Sequence, residues 1–295
     1  MSEILSTVTN LELRESNPDG SEGAGLSHTA EGMFLLHCLE MAGAGEPRGG
    51  VTIVHDLSDH GERYRGLGAR LTEDDWALAL PDMRGHGRSE GPRGHSWGIK
   101  EPVRDIDSVQ DHVAYRLPDH PKVIIGVGLG GLYALAYAQA HPDRVQALVL
   151  VGAMLQPTFP VAAKPGGLKG LFKKPTPIDQ ADLDWSPDQI SSDASAQSAW
   201  TGDPLVHRKV SRHVAERVVA EAAEVRRHAA SMTVPTLALH GSDDTIASVD
   251  AVRGIERAGL ELRVLDGRRH DLLHEAGAKS LYDDIAHWID GVCPR

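Results

Sequence analysis

Five short clusters gather side chains able to move protons or backbone able to turn sharply. They are His55-Asp56-Leu57, the run from Asp82 through Arg84, His86 and Arg88 to Ser89, the glycine-rich Gly126-Val127-Gly128-Leu129-Gly130-Gly131, Gly241-Ser242-Asp243-Asp244, and Asp266-Gly267-Arg268-Arg269-His270. Imidazole and carboxylate are the groups of general acid–base chemistry. Each cluster directly follows an apolar run that reads as a strand, and in open parallel sheets functional sites lie off the carboxyl ends of the strands. His270 and His274 have the spacing of a zinc pair on one helix face. With 16 histidines in the chain such spacings arise by chance, and no metal site is expected. Ser89 and Ser242 do not stand on a glycine-flanked turn, so neither reads as a nucleophile. Cys38 lies in an early strand and reads as a buried thiol.

The elements that must carry these clusters alternate. Strands are expected at Phe34–Leu39, Val51–His55, Trp76–Asp82, Val123–Val127, Val145–Val151, Thr236–His240 and Leu260–Leu265. Helices are expected at Glu62–Asp75, Glu101–Leu117, Leu129–His141, Asp250–Ala258 and Ala278–Ile289. Near-continuous apolar strands between helices imply a parallel sheet covered on both faces, an α/β fold. Residues 1–30 read as a loose lead-in, polar and rich in Gly and Ser. The alternation breaks between 154 and 230, a stretch rich in Pro, Lys, Asp and Ser whose later part, Val210–His228, is helical and charged. The expected organisation is therefore a core of residues 31–153 and 231–295 with an inserted cap at 154–230.

Composition narrows the function classes. The chain has 295 residues with 30 Lys+Arg against 42 Asp+Glu, a formal charge of −12. That balance repels phosphate backbones and argues against a nucleic-acid partner. Two cysteines at opposite ends form no disulfide framework and fit a reducing compartment. The first 25 residues hold acids and no apolar core of a signal peptide. The uncharged run Val123–Ala140 is interrupted by four glycines and reads as strand plus helix, not a membrane span. A cytoplasmic location is the expectation. The stretch Val161–Pro175, with Lys164, Lys169, Lys173 and Lys174 beside Leu168, Leu171 and Phe172, reads as a solvated cap loop rather than a lipid-binding segment. Trp185 and Trp200 either line an apolar pocket or form the insertion's own small core.

Several segments, in order, resemble the monoacylglycerol lipase and lysophospholipase-like group of α/β-hydrolases. VHDLSDHGERY (Val54–Tyr64) is similar to that group's H-G-x-G-E-H…R-Y segment, and DMRGHGRSEGPRGH (Asp82–His95) to its D-x-R-G-H-G-x-S segment. DPLVHRKV (Asp203–Val210) matches the end of its lid region. LHGSDD (Leu239–Asp244) and RRHDLLHE (Arg269–Glu275) match its acid and histidine segments. The order elbow, acid, histidine is the hydrolase order. The resemblance covers most of residues 30–290 and implies carboxylic ester hydrolysis without a cofactor. In that chemistry a serine on a G-x-S-x-G elbow attacks the ester, a histidine takes its proton and an acid orients the histidine. By position Asp244 is the acid and His270 the base. The elbow is Gly126–Gly130, the nucleophile position is Gly128, and the backbone N–H groups of Leu57 and Leu129 form the oxyanion hole. His55, His60, His86 and His95 fall in loop segments, where the expectation is hydrogen bonding that holds the loops.

The chain departs from the group at that centre. Gly128 has no side chain and forms no acyl-enzyme; losing a serine nucleophile costs on the order of 10⁶ in kcat. Val127 stands where the group has His, and Asp56 where it has Gly after the strand-end His. A carboxylate at 56, if it faces the site, opposes a developing oxyanion. The expectation is a degenerate esterase that binds a small acyl- or lipid-like molecule. Two alternatives stay open. His270–Asp244 could activate a water in the space vacated at Gly128, or the chain could be an engineered serine-to-glycine form of an active esterase.

Overall fold

The computed structural model describes residues 4–14, 33–161, 176–255 and 257–295. Eight strands form the main sheet. They are β1 (Leu5–Arg14), β2 (Met33–Ala42), β3 (Gly49–Val54), β4 (Trp76–Pro81), β5 (Lys122–Val127), β6 (Ala147–Val151), β9 (Thr236–Gly241) and β10 (Leu260–Leu265), in the order β1-β2-β4-β3-β5-β6-β9-β10. The six strands from β4 to β10 run parallel, while β2 pairs antiparallel with both β1 and β4. Every residue of β3, β5, β6 and β9 is buried, which is why those strands read as unbroken apolar runs.

Helices cover both faces. Leu67 and Leu71 of α1 (Arg65–Thr72) and Leu281, Ile285 and Ile289 of α8 (Ala278–Val292) pack on one side with Ile53, Val123 and Val149. On the other side Ile106 of α2 (Lys100–Arg116) and Leu132 of α3 (Leu129–Ala140) pack with Ile124, Leu148 and Ala238. From β3 the chain passes to β4 on one side and then, through α2, to β5 on the other. The strand order thus reverses at β3, and a crevice opens between the carboxyl ends of β3 and β5. The turns after those two strands are Asp56 and Gly128.

Two expectations change. Residues 5–14 are not lead-in but strand β1, paired over ten residues with β2. Leu13 joins Phe34, Leu36 and Val109 in a satellite core, with Leu11 packed against it. The period-two pattern that signals a strand is short here, because Leu5 and Val8 face solvent. The helix expected at 250–258 is only α7 (Val249–Arg253), which ends at Gly254. The Gly/Ser-rich part of the lead-in and the lysine-rich stretch after Val161 lie outside the described residues.

Between β6 and β9 the chain forms a two-stranded ribbon, β7 (Gln180–Asp182) with β8 (Lys209–Ser211). It also forms α4 (Pro187–Ile190) and α5 (Ala194–Gly202), and returns through a π-turn at Val214–Val218 into α6 (Val219–Ala229). Polar bonds tie this segment to the loop after β10. Asp271 N–H donates to Ile190 O at 2.9 Å, and Ser192 N–H to Glu275 Oε1 at 2.8 Å.

The start of α3 lies hard against the end of β3. A Cβ on Gly130 would come within 2.3 Å of His55 O and 2.4 Å of Val54 O, both backbone atoms. Gly130→Ala must push α3 off the strand, at a cost of about 1–3 kcal/mol. The expected result is a lower urea midpoint at unchanged m-value; an unchanged midpoint would contradict this packing.

Candidate active site

Gly128 joins β5 to α3 with φ 53° and ψ −121°, a conformation that side chains with a Cβ rarely adopt. Its N–H donates to Val151 O at 3.0 Å, and its carbonyl accepts from Met154 N at 2.9 Å, so the turn is fixed on both sides. The space a side chain would enter is already filled. A Cβ on Gly128 would lie 1.9 Å from Asp56 Oδ1 and 2.0 Å from Asp56 Cγ.

Asp56 therefore points into the centre of the site. Its Oδ1 accepts the Leu129 N–H at 2.6 Å, and its Oδ2 lies 3.0 Å from His270 Nε2. On the far side of the ring, His270 Nδ1 lies 2.9 Å from Asp244 Oδ2. Asp244 Oδ1 in turn accepts the N–H groups of Ile246 and Ala247, each at 2.8 Å. His240 Nε2 stands 3.3 Å from the same Asp244 carboxylate. The result is one chain of contacts, Leu129 N–H to Asp56 to His270 to Asp244, assembled from the turns after β3, β5, β9 and β10.

Charge follows from this geometry. Burial disfavours the imidazolium of His270, but Asp244 and then Asp56 outweigh it, and its pKa lies well above the ordinary histidine value. Both ring nitrogens face carboxylate oxygens, so both are donors and the ring is charged. Asp244 is held well below the usual carboxylate range; burial opposes this, and the charge and hydrogen bond of His270 overcome it. His55, which precedes Asp56, is the opposite case. Its Nε2 accepts the Met83 N–H at 2.8 Å, so its Nδ1 carries the proton and donates to Asp56 O at 2.7 Å. Burial lowers its pKa. A neutral His55 thus fixes the backbone of Asp56.

A second network holds the two loops together. Arg63 pairs with Asp59 at 2.8 Å and with Asp271 at 2.9 Å. His274 Nδ1 donates to Asp271 Oδ1 at 2.6 Å and its Nε2 to Arg63 O at 2.9 Å. With both nitrogens donating, His274 is also an imidazolium; burial opposes its charge and Asp271 raises its pKa.

The other sequence candidates take different places. His60 pairs with Asp203 at 2.9 Å and His95 with Ser211 Oγ at 2.8 Å, each joining one loop to another, while His86 Nδ1 donates to Arg84 O at 2.8 Å within its own loop. Ser89 Oγ donates to Asp82 O and accepts the His37 N–H, and Ser242 Oγ donates to Asp243. Cys38 is buried and unpaired. Trp200 is buried, and the Trp185 ring lies 6.2 Å from that of His270, beside the site. Among the described residues no group of His, Cys, Asp and Glu is arranged to hold a metal ion, and no helix is long and apolar enough to cross a membrane. A cavity of about 20 Å³ borders Asp56, lined among others by Leu57, Met83, His86, Leu129 and Tyr133. It has room for a molecule the size of water. Sequence reasoning treated Asp56 only as a conditional disturbance. Its one signal was an acid immediately after the strand-end histidine, where the similar group has glycine.

A mostly parallel sheet with this crevice and these strand-end turns defines an α/β-hydrolase fold. Residues 45–277 match the family described as serine aminopeptidase S33, and the chain belongs to that family. It is 29% identical over 252 residues to a monoacylglycerol lipase of Mycolicibacterium smegmatis, covering 83% of this chain and 89% of that one. It is 27% identical over 276 residues to the monoglyceride lipase of Homo sapiens, covering 88% of each. The crystal structure of the Paleococcus ferrophilus monoacylglycerol lipase superposes with a TM-score of 0.75 at 24% identity, covering 87% of this chain and 99% of that one.

The two imidazolium ions set a pH dependence. A histidine whose pKa is raised by folding adds stability that is complete below its unfolded pKa of about 6.5. That stability is lost as pH rises through the folded value. His270 and His274 both shift in this direction. The urea midpoint of the intact protein is therefore expected to fall from about pH 6 to about pH 9, and the fall to shrink in His270→Gln. A flat or rising profile would contradict two charged rings.

Proposed function

We propose that this chain has left serine-ester chemistry and binds a small acyl- or lipid-like molecule at this site, beneath a cap formed by residues 154–230. In this reading Gly128 is the vacated nucleophile position, His270 and Asp244 are the retained base and acid positions, and Leu57 and Leu129 border the oxyanion hole. The observation that carries it is the Asp56 carboxylate, bonded to Leu129 N–H and facing His270 where a serine side chain and the oxygen of an ester would have to stand. The ligand class rests on likeness to monoacylglycerol lipases, which spans most of each chain.

The fit between positions 56 and 128 supports divergence over a single introduced change. A serine in the present backbone would collide with Asp56, so a glycine at 128 suits an aspartate at 56 and a serine does not. The charge on His270 weakens the reading in which it activates a water directly, because a base must first be free of its proton.

The test compares three proteins on short- and long-chain monoacylglycerols and a fluorophosphonate probe. The intact chain and Gly128→Ser are expected to show neither labelling nor turnover. The double variant Asp56→Gly/Gly128→Ser is expected to label and to recover most of the loss of order 10⁶ that a missing nucleophile imposes. Labelling of the intact chain, or full activity of Gly128→Ser alone, would overturn the reading.

A further inference from the structure

The inserted segment meets the core through imidazole rings. We propose that His207 and His95 latch the β7–β8 ribbon to the loop after β4 only while both rings are neutral, so that acid releases the ribbon and opens the site around Asp56. This gives the binding site of the preceding reading a regulation and rests on that reading only for what enters; the latch itself needs no ligand.

The contacts form one seam. His207, just before β8, has Nε2 at 3.0 Å from Gly85 O, and its Nδ1 accepts the Lys209 N–H at 3.1 Å. Nε2 therefore carries the proton, and a second proton on Nδ1 would set two N–H groups against each other. His95 meets Ser211 Oγ of β8 at 2.8 Å. The same Oγ accepts the Val214 N–H at 3.1 Å, and Val214 lines the small cavity that borders Asp56. Between the two rings, Ser211 N–H donates to Gly94 O at 2.9 Å and Gln180 Nε2 to Arg93 O at 2.7 Å. Behind His207 stands the ring of His86, centroids 4.7 Å apart, and 5.0 Å beyond it the ring of His55. That row ends on Asp56, whose carbonyl oxygen takes the His55 Nδ1–H.

Charge makes the seam sensitive to acid. Burial and then Arg93 push His207 down to about 4, and Lys209, itself paired with Asp182, adds to this, as does His55. Burial, His207, His55 and Arg93 likewise hold His86 neutral. Burial pushes His95 down to about 4; Glu101 opposes this, while His213 and Arg84 assist it. On opening, such a ring gains a proton near its ordinary value of about 6.5. The closed seam is therefore complete above about pH 6.5 and is lost as pH falls toward the folded values. Between pH 7.5 and 5 each of the two rings moves the balance toward the open form by roughly 30-fold. His60, by contrast, faces the Asp203 carboxylate at 2.9 Å, a contact that acid does not weaken, so the release is confined to the ribbon.

Hydrogen exchange of the full chain, expressed as protection factors at pH 7.5 and 5.0, tests the latch. The peptide holding Ser211 and Val214 is expected to lose protection by roughly 30-fold for each ring while β5 keeps its own. His207→Gln still donates to Gly85 O but takes up no proton, so it should remove one of the two factors. His228→Gln, exposed on α6, should remove neither. Equal protection of the ribbon at the two pH values in the unaltered chain overturns the proposal, whether or not the variants fold. So does a parallel loss in β5, which would mark unfolding of the whole chain, and so does an undiminished loss in His207→Gln and His95→Asn alike. No arm involves ester turnover or probe labelling, so the latch and the binding reading fail separately.

Discussion

A buried imidazolium held between two carboxylates is the interaction on which the centre of this protein depends. Three charges in one dry space cost several kcal/mol each in desolvation, and the arrangement persists only where the remaining lone pairs are also met. They are met by backbone. The free oxygen of Asp56 takes the first N–H of α3, and the free oxygen of Asp244 takes the N–H groups of Ile246 and Ala247. The partial positive charge at the start of a helix spreads the surplus negative charge of the triple. Removing either carboxylate would leave a charged ring unpaired on one side, so the three residues stand or fall together.

The fold delivers these groups because its order reverses at β3. Adjacent parallel strands β3 and β5 end at one level, and their turns face each other across a few ångströms. The glycines that begin α3 allow that approach, and the Arg63–Asp59–Asp271–His274 network locks the loop of Asp56 to the loop of His270. Positions far apart in the chain are thereby brought together by packing and ion pairs.

A glycine at 128 and an aspartate at 56 form a complementary pair. The first removes a side chain and relaxes a backbone conformation unfavourable to other residues. The second supplies the hydrogen-bond partners that His270 and Leu129 would otherwise lack. A buried unpartnered imidazole or N–H would cost on the order of 1–3 kcal/mol, so the contacts of Asp56 stabilise a turn at which Gly128 supplies no side chain.

The central strands, the covering helices and the strand-end clusters were legible from the chain alone, because fully buried strands need continuous apolar runs and amphipathic helices need a repeating face. The resemblance of separate segments marks residues 244 and 270 as partners. Strand β1 was not legible, since half of it faces solvent and it gains order only by pairing with β2. Nor was the direction of Asp56. A single acid after a strand says nothing about where its carboxylate points. That is settled by the room that the absent side chain of Gly128 leaves for it, the Leu129 N–H, the His55 bond that fixes its backbone and His270, 214 positions away in the chain. Local pattern determined the elements and the chemical candidates; only tertiary packing, through sterics and the need to satisfy buried charge, decided which candidate fills the site.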